Sequence, residues 1–356
     1  MKIFITSDLS KSPWKNSSIQ ASIFMHECLQ AAGMDVYLLN VCESSSFNDR
    51  NNKFYNLVDI FDPGFPSVDL LILCGGYIET EKLTQIKSKH NSKIILYQHL
   101  FASAIHQESF THAGELPPRL PMIDEIWAPE HHNNSMEYIN NYYNPEIQIK
   151  SVPYLWDSSF VNSSDKKDSA EFKKDEKKSV IVLEDNRYAF KNSLIPIMIC
   201  EKAFRSRPEL FEAISVANTQ SVKKNQSAMR FLNELDINTK NKLHLTGSWS
   251  TINFISKIGK YVLSYQENNN LNYLFLECLY LGIPLIHNSE YIKSYGYYYD
   301  GISLSFGANQ LINALVNHEE NLEVYKEQNK FLLKSFSPKN HKNKSFFMSC
   351  VQTLIK

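Results

Sequence analysis

The stretch "NNNLNYLFLECLYLGIPLIHNS", residues 268–289, decides how the chain is read. From Asn272 to Leu281 the apolar residues have helical spacing, and Gly282-Ile283-Pro284 then ends the helix and leads into a short apolar strand. A single charge, Glu277, interrupts the apolar run. A buried carboxylate without a partner is expensive, so Glu277 is expected either to face solvent or to be there for a ligand.

Working outward, the same alternation of strand and helix recurs along the chain. "KIFITSD", "DVYLLNV", "VDLLILCGG", "KIILYQHL" and "DEIWAPE" are short apolar strands separated by helices or loops, and "IQASIFMHECLQAAG" is a helix stopped by Gly33. Such strands predict a parallel sheet covered on both faces, a Rossmann-like domain over residues 1–160. No GxGxxG follows its first strand, which argues against dinucleotide binding at this end. The polar, charged run 161–178 is expected to be an exposed linker. The pattern restarts with "SVIVLED" and continues through "FEAISVAN", "KLHLTG", "GKYVLSYQE", "IPLIHNS" and "GISLSF", giving a second Rossmann-like domain over 179–338. The fold class is therefore α/β, two tandem Rossmann-like domains facing a cleft. Ligands of such sheets bind at the carboxyl ends of the strands.

Bulk properties narrow the function. A chain of 356 residues exceeds one ordinary core, which agrees with two domains. A formal net charge of −1 excludes a general nucleic-acid binder, which needs clustered cations. The six cysteines form no CxxC pair and sit mostly in apolar contexts, so they read as core residues in a reducing cytoplasm. The start reads as a strand and not as a signal peptide, and no run of about 18 apolar residues predicts a spanning helix.

With its glutamate-bearing helix before Gly-x-Pro, "LECLYLGIPLI" in the second of two such domains resembles the GT-B glycosyltransferases. More closely, "VLEDNRYAFKNSLIPIMICEKAFR", "NLNYLFLECLYLGIPLIHNS", "SYGYYY" and "FGANQL", with "EIWAPE" and "VPYLWD" in the first domain, resemble a family of uncharacterised bacterial proteins assigned to that superfamily. The resemblance implies a nucleotide-sugar donor held by the second domain and a bacterial surface-glycan or lipid-linked acceptor on the first. It also implies a cytoplasmic protein, with room for peripheral contact at the inner face of the membrane.

Residue by residue, it implies that Glu277 accepts hydrogen bonds from two ribose hydroxyls, chemistry that suits a carboxylate. Asn269, Asn270 and Asn272 of the preceding loop and Asn288 of "HNS" become donor contacts, and amides at the helix start meet the diphosphate. Arg187 and Lys191, after the strand "SVIVLED", would neutralise the leaving diphosphate. Asn269 stands where many retaining members carry a second glutamate, a departure that bears on mechanism. In the first domain His99 and Glu108 are the catalytic candidates, within a cluster that also holds His106, His112 and Glu115. Adjacent His131 and His132 lack a third ligand at metal spacing, and Asp-x-Asp is absent, so no metal or other cofactor is expected. The last helix, 339–356, is expected to cross back to the first domain. Two alternatives stay open: a sugar-nucleotide epimerase of the same fold, and a non-catalytic GT-B-like binding protein.

Overall fold

The computed structural model describes residues 1–42, 54–112, 114–174 and 177–355. The chain divides into two compact units, Met1–Asp157 with Lys334–Lys356, and Ser158–Leu333.

The first unit is built on strands β1 (Lys2–Ser7), β2 (Asp35–Asn40), β3 (Phe54–Asn56), β4 (Leu70–Gly75), β5 (Lys93–Tyr97), β6 (Glu125–Pro129) and β7 (Gln148–Val152). They form one sheet in the order β3-β2-β1-β4-β5-β6-β7, with every neighbouring pair parallel. Burial on both faces explains the apolar strands: Ile3, Phe4 and Ile5 of β1 are successive in sequence yet all inaccessible to solvent. Phe4, Leu39, Leu71, Ile94 and Ile126 belong to one core cluster. The terminal helix His341–Ile355 lies in this unit, with Phe347 against Trp127 at 5.6 Å between ring centroids.

The second unit uses β8 (Ser179–Val182), β9 (Ala213–Val216), β10 (Leu243–Leu245), β11 (Tyr261–Leu263), β12 (Leu285–His287) and β13 (Tyr297–Tyr298). Their order is β10-β9-β8-β11-β12-β13, again all parallel. Strand order reverses beside the first strand of each unit, between β1 and β4 and between β8 and β11. Connections leaving such a pair run to opposite sides, so an uncovered crevice is left at the strands' carboxyl ends.

The stretch 268–289 forms the helix Tyr273–Tyr280 and β12. Asn272 caps the helix start, its Oδ1 accepting from the Phe275 amide at 3.0 Å. At the other end the Ile283 amide reaches the Cys278 carbonyl at 2.9 Å and the Gly282 amide reaches Leu279 at 3.4 Å, a Schellman closure with Gly282 at φ +69°. Gly282 is therefore required by backbone geometry, and Pro284 then begins the extended run.

Several expectations change. "GISLSF" is a turn followed by a helix, Leu304–Phe336, and the last strand lies instead in the tyrosine run at β13. The alternation in "ISLS" hid a cap: Ser303 Oγ accepts from the Phe306 amide at 3.4 Å. Strands β3 and β7 are short and partly polar, and carried no clear pattern. The run 161–178 is no free linker among its described residues, and residues 175–176 lie outside them. It holds the short helix Lys167–Ala170 and belongs to the second unit, anchored by Phe172 edge-on to His318 at 4.6 Å. The few apolar residues in a charged run were enough to dock it. The chain enters the second unit at Ser158 and leaves it at Lys334, inside the long helix rather than after Pro338.

Gly282→Ala places a Cβ where the left-handed backbone disfavours it, by roughly 1–2 kcal/mol. Urea titration is expected to show that loss in the transition of the second unit. An unchanged midpoint would mean the Schellman turn is not rigid.

Candidate functional site

The crevice of the second unit is framed by the residues that follow β8, β11 and β12. Asn186, Asn218 and Asn268, after β8, β9 and β11, all adopt left-handed backbone with φ of 56°, 57° and 55°. Asparagine tolerates this conformation better than other residues with a Cβ. These turns let the chain bend sharply at the strand ends. Asn186 Nδ2 donates to the carbonyls of Glu184, Ala217 and Asn218, and its Oδ1 accepts from Ser193, so one side chain ties the loops after β8 and β9 together.

Glu184, two residues past β8, is a fully buried carboxyl that the sequence reading missed. It accepts from Ser264 Oγ and from Gln266 Nε2, the latter at 3.3 Å. Burial raises its pKa from the ordinary 4.5 to about 7, against the opposing pull of Lys191 and of the hydrogen bonds from Ser264 and the Tyr265 backbone. Gln266 is itself held on every side. Its amide and carbonyl pair with the Asn288 side chain at 3.0 and 3.1 Å, and its Oε1 accepts from Asn269 Nδ2. Ser289 Oγ donates to the Asn270 carbonyl, which fastens the same loop to the end of β12.

The sequence-derived donor contacts thus fall into distinct positions. Asn269, Asn270, Asn272 and Asn288 come together around the loop 265–272. Asn288 uses both ends of its amide to hold Gln266, which makes it first a brace for that loop. Asn272 Nδ2 is buried and has no hydrogen-bond partner, a donor that a ligand acceptor would complete. Glu277 is 4 % exposed, which removes the solvent-facing alternative. Arg187 lies in the loop after β8 but forks onto Asp185 at 2.8 and 2.7 Å and is largely exposed, so its charge is partly neutralised. Lys191 shares the loop, and its charge is felt by Glu184.

In the first unit, His99 follows β5 and is 7 % exposed. Its ring stacks on Tyr154, after β7, at 5.7 Å and 10°, while His131 meets both Tyr154 and His132 edge-on at 4.7 and 4.1 Å. Burial, reinforced by His132, lowers the His99 pKa to about 3, and burial takes His132 to about 4. An imidazole held so low is a poor proton acceptor at neutral pH, so His99 suits a hydrogen-bonding contact better than a general base. Glu108 sits in the second turn of the helix Ala102–Thr111 and pairs with exposed His112 at 3.2 Å, toward the helix's far end from β5. The sequence also missed Asp8, just past β1, which takes Lys11 at 2.7 Å and Cys42 Sγ at 3.0 Å. Burial works to raise its pKa, but the hydrogen bonds from Cys42, Lys11 and Ser10 prevail and hold it well below the ordinary range. Both missed carboxylates sit at strand ends beside a strand-order reversal, and that position was the available signal. Among the described residues, no group of three His, Cys, Asp or Glu is placed to hold a metal, and no helix is long and apolar enough to cross a membrane.

Because the folded state keeps a proton on Glu184 that the unfolded chain releases, wild-type stability falls as pH rises from about 4.5 to about 7. Glu184→Gln removes that penalty. Relative to wild type it is expected to gain up to roughly 3 kcal/mol at pH 8 and little at pH 4, read by chemical denaturation. A difference independent of pH would mean that Glu184 is not a buried, neutralised group.

Comparison with known proteins now identifies the architecture. The Anabaena protein HepE in complex with UDP and glucose superposes at TM-score 0.61 with 11 % identity, over 98 % of this chain and 100 % of that one. An alpha-glucosyltransferase, AGT, in complex with UDP gives 0.61 at 10 % identity, over 100 % and 99 %. A variant of S. aureus TarM in complex with Fondaparinux, alpha-GlcNAc-glycerol and UDP gives 0.61 at 10 % identity, over 100 % and 99 %. At such identities the likeness is one of fold, and the fold is that of the GT-B glycosyltransferases. No curated protein matches the sequence. The profile of one family, described as protein of unknown function (DUF2827), matches residues 2–351, and the chain belongs to that family.

Proposed function

We propose that this protein is a glycosyltransferase that takes a sugar from a nucleotide-sugar donor and passes it to a glycan or lipid-linked acceptor, with protein cations rather than a metal ion meeting the diphosphate. The observation that carries the reading is the carboxyl edge of the second unit. There Asn272 Nδ2 is buried without a partner, in the same loop-and-helix segment as the buried Glu277. An unmade hydrogen bond of this kind costs about 1–3 kcal/mol, and a ligand that supplied the acceptor would recover it.

Each residue has a role in this reading. Glu277 accepts the two ribose hydroxyls. Asn272 donates to a donor oxygen. The amides at the start of the helix Tyr273–Tyr280, with Lys191 and Arg187, meet the diphosphate as charge collects on it during bond cleavage. Solved proteins of the same fold hold UDP, which supports a uridine nucleotide as the first donor to test. His99 would contact the donor sugar or acceptor from the first unit. A lipid-linked acceptor would bring the protein to a membrane surface.

One observation favours a second reading. Asn269 lacks the charge of the glutamate found at that position in many retaining GT-B enzymes, which suits a protein that binds nucleotide-sugars without transferring them.

A thermal-shift panel of UDP, GDP, ADP, CMP and TDP and their sugars tests the site. At 100-fold above Kd a ligand adds about 2.7 kcal/mol to stability, so one nucleotide is expected to raise Tm by several degrees in wild type and far less in Glu277→Ala. No shift with any nucleotide would overturn the donor site. Binding without release of nucleotide in the presence of glycan acceptors would favour the second reading.

A further inference from the structure

While Glu184 is ionised, the hydrogen bonds behind Asn269 can have only one polarity. An ionised carboxylate only accepts, so the end of the Gln266 amide that faces Glu184 must be the NH2, as observed at 3.3 Å. That leaves Gln266 Oε1 on the opposite side, where it accepts from Asn269 Nδ2. Asn269 then has its carbonyl oxygen left over, and no described residue donates to it. The Gln266 backbone cannot turn to escape this order, because Asn288 holds both its amide and its carbonyl.

We propose that Glu184 is a positioning residue that acts through Gln266 to make Asn269 present a carbonyl oxygen, and hence to read a sugar hydroxyl rather than a phosphate of the donor. The proposal rests on the donor-site reading above and adds to it the chemistry seen by position 269. A carbonyl oxygen attracts a hydroxyl donor and repels a phosphate oxygen. The chain thus keeps an acceptor at a position occupied by an amide, and keeps the carboxyl two residues upstream of Asn186, behind the loop. When Glu184 is protonated it can donate to Gln266 Oε1. Both amides can then turn over, and Asn269 presents its NH2 instead. The charged and titratable groups facing Glu184 are Lys191 and Asp185 from its own loop and Tyr299 from the segment after β13. Tyr299 donates to the Ser264 carbonyl at 2.8 Å and is fully buried, so it stays neutral. Burial holds the Glu184 proton to about pH 7, which places the turnover within reach of ordinary buffers.

The test measures Kd for UDP and for UDP-glucose by calorimetry, on the full chain, and reads their ratio. In wild type at pH 8, UDP-glucose is expected to bind more tightly than UDP, and Asn269→Ala is expected to reduce that preference by roughly three- to ten-fold, the worth of one hydrogen bond. Glu184→Gln, whose amide can offer a donor to Gln266, is expected to lose the same preference, and the double variant no more than either single one. The wild-type preference is expected to fall between pH 8 and pH 6, and that of Glu184→Gln to stay level. Gln266→Ala serves if Glu184→Gln fails to fold, and is expected to lose the preference and its pH dependence together. A full preference in Glu184→Gln at pH 8, or additive losses in the double variant, overturns the proposal. Absence of UDP binding by folded wild type overturns the donor reading, and the proposal with it.

Discussion

The reversal of strand order between β8 and β11 is the constraint on which the second unit depends. All six strands run parallel, so every connection must cross a face of the sheet. Those leaving β8 go toward β9, while β11 continues toward β12 and β13. No crossover can cover the carboxyl ends where the two directions part. Polar groups at that place would face water in an empty crevice or a ligand in a filled one. The chain answers with asparagines. Three take the left-handed turns at the strand ends, and Asn288 and Asn269 brace Gln266. An amide can donate and accept at once, so a few of them satisfy a crowded loop without adding charge.

That arrangement makes the position of each charge informative. Glu125, buried in the first unit, is met by Lys150 Nζ at 2.6 Å and by Trp127 Nε1 at 2.6 Å. Glu201, buried in the second, takes two backbone amides at 3.0 and 3.1 Å and Arg205 at 2.8 Å. Both are buried carboxylates with a direct cation, the usual way of offsetting desolvation. Glu184 has hydroxyl and amide donors and only the through-space influence of Lys191. Burial therefore pushes Glu184 toward the neutral form.

Much of this was legible in the sequence. Apolar strands between helices gave the two parallel sheets, because burial on both faces leaves few polar positions in a strand. Gly282 and Pro284 marked the helix end, since the Schellman turn needs a residue at positive φ and the strand begins at once. Less legible were elements whose local pattern conflicts with their place. β13 is two tyrosines long and forms only because β12 offers an edge. The helix from Leu304 begins with an alternation that mimics a strand, and only its Ser303 cap contradicts that. Phe172 docks a charged segment that composition alone would leave in solvent. At the candidate site, Glu277 and the asparagines of 269–288 could be singled out because they flank a strong helix signal. Glu184 could not be distinguished from Asp185 beside it. What separates them is burial: one faces Ser264 and Gln266, the other pairs with an exposed arginine, and that difference is set by residues some 80 positions away.

The two units solve the same topological problem with different chemistry, and the difference bears on what each can hold. Around the carboxyl ends of β5, β6 and β7 the first unit gathers aromatic faces and imidazoles: His99, His131, His132 and Tyr154. Burial keeps all three histidines neutral near pH 7. Neutral imidazoles beside a tyrosine form a buried, uncharged aromatic cluster that packs through ring faces and edges. The second unit offers instead a carboxylate in a helix, an unpaired amide donor and two cations in one loop. That set mixes charge with an amide donor, where the first unit has neither cation nor carboxylate among these four residues. The same parallel topology thus carries two different chemistries at its strand ends, charged and amide groups in one unit and uncharged aromatic rings in the other.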